Sequence, residues 1–214
     1  MNLDLVLDTS RKGIALGIYD SGKPLCERFE PESRGENLGR FLDGILQNAA
    51  FTLDDIKRVL VTLGPGSFTG LRTGIAFCEG LCFSQKRSLF GVSTLRALRS
   101  LGAKDCVVVL FARSGFFYVG TSEAELFISV EDAVQKFAEE KRVHFVVDSR
   151  SAEEEIFQKY IREAKAEVVV SAGDEIAPFC RFFAELEPSA LLRANYIQPS
   201  YYERRGAMGV NAHV

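Results

Sequence analysis

The order of apolar and polar residues along this 214-residue chain changes period several times, and each change marks an element. Leu3, Leu5, Val6 and Leu7 form a short buried run that ends on Asp8, Thr9 and Ser10. Residues 14–19 form a second run, and residues 25–30 alternate between apolar and polar. Turn chemistry separates them, Arg11-Lys12-Gly13 first and Asp20-Ser21-Gly22-Lys23-Pro24 second. The pattern predicts three antiparallel strands in a meander.

The period then becomes helical. Over residues 36–50, Leu38, Phe41, Leu42, Ile45, Leu46 and Ala49 share one face, with Asn37, Arg40, Asp43, Gln47 and Asn48 opposite. Gly39 and Gly44 each weaken this helix by about 1 kcal/mol relative to alanine, and they leave room for another backbone. A strand over 58–63, a long apolar helix reaching Phe83 and a strand over 88–92 follow. Ser93 or Thr94 then caps a helix carrying Leu95, Leu98 and Leu101. Past Gly102 the pattern restarts, which divides the chain into 1–102 and a smaller 103–214. The second part predicts strands over 106–111 and 116–121, a helix over 130–140 and a strand over 143–147. A charged helix over 153–164, a strand over 167–170 and a helix over 176–186 complete it. The tail, residues 195–202, is extended and aromatic, and the residues after Arg205 are expected to fray.

Composition narrows the picture. Hydrophobic residues make up 47% and charged residues 26%, enough for a packed core. The net charge of -3 lacks the basic excess of a protein that grips nucleic acid by itself. The residues after Met1 do not form a leader pattern, and no apolar run has bilayer length. Five cysteines without a C-x-x-C pair fit a reducing cytoplasm, and Cys78 and Cys82, one helical turn apart, read as core residues.

The stretch Gly64-Pro65-Gly66-Ser67-Phe68-Thr69-Gly70-Leu71-Arg72-Thr73-Gly74 joins the 58–63 strand to the apolar helix. It is not a phosphate loop of the Walker type, because Leu71-Arg72 follows Gly70 where Lys-Ser or Lys-Thr is required. It is not a dinucleotide fingerprint, because Thr69 stands where the third glycine belongs. Ser67 or Thr69 is placed to cap the helix. On a helical wheel Gly70, Gly74, Phe77 and Leu81 line one face beside Cys78. Phe68, Arg72, Ile75, Ala76, Glu79 and Phe83 gather on the other. A helix apolar nearly all round is expected to be covered on more than one side.

These residues carry a resemblance. The opening Leu7-Asp8-Thr9-Ser10, the glycine stretch with Glu79-Gly80-Leu81, Gly91-Val92-Ser93-Thr94-Leu95 and Gln198-Pro199-Ser200-Tyr201-Tyr202-Glu203-Arg204 together resemble the TsaB (YeaZ) family. The resemblance implies an α/β fold of two related halves, the actin-like or Hsp70-ATPase-like (ASKHA) fold, with the second half reduced. It implies a non-catalytic partner of a metal-binding paralogue, TsaD, which transfers threonylcarbamoyl to adenosine of tRNAs that read codons beginning with A. A small ATPase, TsaE, joins that assembly, and tRNA is reached through the complex.

The paralogue holds its metal with a His-x-x-x-His pair on its first long helix, where this chain has Glu36-Asn37-Leu38-Gly39-Arg40. Only His144 and His213 are present, too few for a site of their own. The expectation is that metal stays with the partner and that any ATP sits at the interface of the complex. In actin-like proteins an acid at the end of the first strand holds a magnesium-bound water and nearby hydroxyls meet phosphate, so Asp8, Thr9 and Ser10 are candidates for a vestigial nucleotide contact. Against that use, the sequence has no clear second phosphate loop or adenosine pocket, and Val147-Asp148-Ser149 is at best a remnant of the former. The expected docking surface joins Leu38, Phe41, Leu42 and Ile45 of one helix to Phe68, Leu71, Arg72, Ile75 and Glu79 of the other. Gly64, Gly66, Gly70 and Gly74 serve as the structural glycines of the motif. Without its partner the chain is expected to self-associate through the same patch. The alternative is an actin-fold ATPase or small-molecule kinase acting alone.

Overall fold

The computed structural model describes residues 1–33, 35, 37–84 and 86–198. Among these residues two five-stranded sheets carry the fold. The first contains β1 (Leu3–Asp8), β2 (Ile14–Asp20), β3 (Lys23–Glu30), β4 (Ile56–Thr62) and β5 (Ser88–Val92), in the order β3-β2-β1-β4-β5. The second contains β6 (Val107–Arg113), β7 (Phe116–Gly120), β8 (Glu125–Ser129), β9 (His144–Asp148) and β10 (Glu167–Ser171), in the order β10-β9-β6-β7-β8. The helices are α1 (Leu38–Asn48), α2 (Phe68–Cys82), α3 (Thr94–Leu98), α4 (Val130–Glu139), α5 (Ser149–Ala152), α6 (Glu155–Ala164) and α7 (Phe182–Glu185).

The two sheets repeat one plan. The central strand, β1 or β6, has an antiparallel meander on one side and two parallel strands on the other. A helix follows the third strand in each half (α1 or α4), and another follows the fourth (α2 or α6). This duplication gives the two related α/β halves that the resemblance implies.

Strand alternation builds three cores. Leu3, Leu5 and Leu7 of β1 face α1 and α2, where Leu38, Leu42, Ile45, Ile75 and Cys78 meet them. Val107 and Val109 of β6 face α4 and α6 with Phe137 and Phe157. The other faces of both sheets share one core, in which Val6, Leu60 and Phe90 meet Val108, Leu110 and Val146 through Leu95, Leu98, Phe179 and Phe182. The halves are therefore joined by packed apolar surface and not by a linker.

Several predicted boundaries differ. The 153–164 helix is α6, which begins at Glu155, and a separate short helix that was not expected, α5 with Asp148 as its cap, precedes it. The 176–186 helix is a 3-10 turn, Ala177–Arg181, followed by the four-residue α7. Pro178 at its start supplies no N–H, and the run of phenylalanines follows the shared core, not a helical face. β8 was not predicted, because its residues are only half-buried on a sheet edge and carry little periodicity. No helix among the described residues is long and apolar enough to cross a membrane.

Candidate functional site

The glycine motif packs on the loop after β1. The Ser67 side chain caps α2 by accepting the Gly70 N–H at 3.2 Å. A Cβ on Gly66 would stand 2.0 Å from the Ser10 carbonyl oxygen, one on Gly70 2.1 Å from the Thr9 carbonyl oxygen, and one on Gly74 2.2 Å from the Thr9 hydroxyl. Glycine alone allows that approach. The Ser67 N–H donates to the Ser10 carbonyl at 2.7 Å, so backbone is stitched directly to backbone. Gly64, at φ 100°, is anchored by Thr94, whose hydroxyl accepts its N–H at 3.1 Å and whose N–H donates to its carbonyl at 2.7 Å. The space a phosphate cradle would need is filled by residues 9 and 10.

Asp8 closes β1 and is 2% exposed. Its Oδ1 accepts the Ser10 N–H at 2.8 Å, the Ser10 hydroxyl at 2.6 Å and the Thr62 hydroxyl at 2.7 Å. Its Oδ2 accepts Arg11 Nε at 2.5 Å. Burial by itself would raise the Asp8 pKa, but the Arg11 guanidinium and the Ser10 and Thr62 hydrogen bonds outweigh it and hold the carboxyl below its ordinary value. Arg11 also crosses to the second half, where Nη1 donates to Ser171 Oγ at 2.6 Å and lies 3.4 Å from Glu175 Oε2.

A cleft of about 840 Å³ separates the halves here. Thr9, Ser10, Lys12 and Ser67 line one side, and Phe111, Arg150 and Gly173 the other. A magnesium-bound water and a phosphate would need a free oxygen on Asp8 and an open hydroxyl on Thr9. The two Asp8 oxygens already take four donors, and Thr9 Oγ1 is buried beside Gly74. The residues in this arrangement do not fit that group. Asp148 is engaged as well, because its Oδ1 accepts the Ser151 N–H at 2.9 Å and the Phe111 N–H at 3.1 Å. Among the described residues no three acidic, histidine or cysteine side chains are grouped to hold a metal. His144 lies 3.1 Å from Asp105, and His213 falls outside the described residues.

The expected docking surface needs correction. Leu38, Leu42 and Ile45 are 2% exposed, Leu71 0% and Ile75 7%, and they belong to the chain's own core. The glycine stripe rotates α2 so that positions 70, 71, 74, 75 and 78 all face inward, which places Ile75 opposite to its expected side. Glu79 is also committed, because its Oε1 accepts the Leu192 N–H at 2.8 Å. Outward-facing positions are Phe68 (56% exposed), Arg72, Ala76, Gly80 and Phe83 (88%), with Phe41 half-buried on α1. Nothing stands above Gly39, Gly44 or Gly80.

A strap from the second half completes this face. Its Ser189 N–H donates to the Leu89 carbonyl at 2.8 Å and its Asn195 N–H to the Leu63 carbonyl at 2.7 Å. Asn195 Nδ2 donates to Glu125 Oε2 at 2.6 Å, and the Ser93 hydroxyl bonds the other oxygen of Glu125. Tyr196 then lies 5.3 Å from the Phe68 ring, while the Arg72 guanidinium lies 4.4 Å from that ring's centroid. Tyr196 and Glu125 were not foreseen as site residues. The aromatic tail was the only signal for the first, and nothing local marks the second. Glu36, Arg205 and the motif positions from Pro199 to Arg204 lie outside the described residues.

Comparison with known proteins places this arrangement. Residues 32–207 match the family described as TsaD: tRNA N6-adenosine threonylcarbamoyltransferase. The tRNA threonylcarbamoyladenosine biosynthesis protein TsaB of Buchnera aphidicola subsp. Schizaphis graminum is 32% identical over 124 residues, covering 54% of this chain and 58% of that protein. The protein of the same name from Escherichia coli (strain K12) is 30% identical over 121 residues, covering 53% of this chain and 52% of its own length. The chain thus spans about half the length of the curated relatives it matches. The solved structure of YeaZ from Pseudomonas aeruginosa overlays with a TM-score of 0.66 at 18% identity, over 94% of this chain and 100% of that one, which shows a common fold.

Proposed function

The chain belongs to the threonylcarbamoyltransferase family that this match defines, as one of its TsaB (YeaZ) members, and from that premise we propose that it is a non-catalytic scaffold subunit. It docks a TsaD-like, metal-bearing paralogue and, through the assembly, a TsaE-like ATPase. It thereby supports transfer of threonylcarbamoyl to adenosine of tRNAs that read codons beginning with A. Its site of action is the cytoplasm. The partner carries the metal, and ATP is bound at the interface of the complex.

The observation that supports docking is the outer face of α2. Phe68 and Phe83 are 56% and 88% exposed there, Ala76 and Gly80 leave the backbone accessible between them, and Arg72 is the one outward charge of the helix. Apolar positions with a single guanidinium have the make-up of an interface core. The same face serves self-association when the partner is absent. With a net charge of -3 the chain leaves most of the grip on tRNA to its partners.

The competing reading is an ATPase or small-molecule kinase that works alone in the cleft. It draws on the volume between the halves, and it requires Asp8 to release Arg11. One experiment separates the two. The purified chain is mixed with a TsaD paralogue and run on a sizing column, as wild type and as Phe83→Glu, and ATP hydrolysis is followed for each protein alone and for the mixture. Docking predicts co-elution for the wild type, loss of it for Phe83→Glu, and no turnover by the chain alone. Co-elution unaffected by Phe83→Glu removes the proposed face. Turnover by the chain alone that Asp8→Ala abolishes favours the enzyme.

A further inference from the structure

The misfit between the cleft and a magnesium–phosphate group leads to what joins the halves in its place. We propose that Arg11 is an internal latch, a cation built into the chain that spans the cleft and fixes the register of the two halves without a bound ligand. It does not rest on the docking reading.

Three observations carry it. The Asp8 carboxylate is 2% exposed and requires a counter-charge; Arg11, its side chain 9% exposed, supplies one from the same loop. The guanidinium is then used a second time, because Nη1 is committed to Ser171 and Glu175 some 160 residues further on. A planar fork with donors on separate edges can serve two such sites at once, which an ammonium could do less well. The accepting side is itself rigid. Glu175 takes the Ala172 N–H at 2.8 Å, the Gly173 N–H at 3.1 Å and the Ser171 hydroxyl at 2.8 Å.

Position makes the latch mechanical. The Asp8–Arg11 loop is the one on which the glycines of α2 sit, through the Ser67 N–H to Ser10 carbonyl bond. The 171–175 segment runs from β10 into the 3-10 turn whose Phe179 is wholly buried in the shared core. Beside the latch, Phe29 packs between the positions of Gly13 and Gly173, an apolar contact across the same gap. Arg11 thus ties the seat of α2 to the last strand of the second half.

The test is amide hydrogen exchange on the full chain, read in residues 9–13 and 171–175. Two variants cut the latch from opposite sides, Arg11→Met and the double variant Ser171→Ala with Glu175→Gln, which keeps the Asp8–Arg11 pair. Both are expected to speed exchange in the two segments by roughly tenfold while β4 and β9 stay protected. Wild-type exchange in these segments is expected to be indifferent to magnesium and ATP. Wild-type exchange in either folded variant overturns the proposal, and so does slowing of the wild type by magnesium and ATP, which would assign the bridge to a ligand. If Arg11→Met does not fold, the double variant alone decides.

Discussion

The helix after the fourth strand occupies the same place in both halves and has opposite surfaces. α6 turns Glu155, Lys159, Arg162 and Glu163 to solvent, with Lys159 and Glu163 paired at 3.9 Å, and drives Phe157 into the core beneath. It is an amphipathic surface helix of the ordinary kind. α2 does the reverse on both sides. Its inner face sets Gly70 and Gly74 among Leu71, Ile75 and Cys78 so that Thr9 lies directly against the glycines, and its outer face carries Phe68, Ala76 and Phe83 with one charge. One plan, used twice, has kept a solvated helix in the second half and a helix fit for covering in the first. The loops under them differ in the same sense. In the first half Asp8 is sealed by four donors; in the second, Arg113 at the end of β6 lies over the rings of Phe116 and Phe127.

That contrast can be broken in steps. The largest effect is expected from Asp8→Ala, which breaks the buried pair with Arg11, leaves that guanidinium only the more distant Glu175 carboxylate at 3.4 Å, and should cost about 3–5 kcal/mol in urea unfolding. Acid adds a check on sign. Because the folded Asp8 pKa lies below its ordinary value, its stabilisation is complete above about pH 4 and is lost as pH falls through the lower folded value. Glu175 acts in the same direction, since burial would raise it but the Ala172 N–H and the Ser171 hydroxyl outweigh that and lower it. Asp8→Asn is therefore expected to flatten the acid limb of the stability profile.

Next comes Gly70→Ala. Its Cβ would meet a backbone oxygen 2.1 Å away that cannot step aside, and a loss of about 3 kcal/mol is expected by the same unfolding measurement. Asp148→Ala in the second half removes a helix cap and the acceptor of the Phe111 N–H, and should cost about 1–2 kcal/mol. Phe83→Ser, on the outer face, should change stability by less than about 0.5 kcal/mol; a larger loss in a melting curve would make Phe83 part of the fold and not of an interface.

Local pattern revealed the fold well because strands and helices are written at short range. The three-stranded opening, the motif helix and the restart after Gly102 all follow from period and turn chemistry. The candidate site was less legible. A helical wheel ranks faces by hydrophobicity, and on α2 both faces are apolar; the rotation is set by glycines whose contact is with Thr9 and Ser10, far back in the chain. That is why Ile75 was placed outward. Arg11 read as a turn residue, since its second partner, Ser171, is 160 positions away. The acid of Asp8-Thr9-Ser10 could be read, and the arginine that satisfies it could not be recognised as its partner until the loop was folded.

The central claim is that the outer face of α2, and not its counterpart on α6, receives the partner. The direct measurement is the dissociation constant for a TsaD paralogue by titration calorimetry, with Ala76→Arg on α2 and Glu163→Arg on α6. Both positions are at the surface or near it, and both changes place arginine, a good helix former, on a helix. The account predicts that Ala76→Arg weakens binding roughly hundredfold with an unchanged melting temperature, while Glu163→Arg leaves the constant as it was. Wild-type affinity in Ala76→Arg, or an equal loss in both variants, would contradict it.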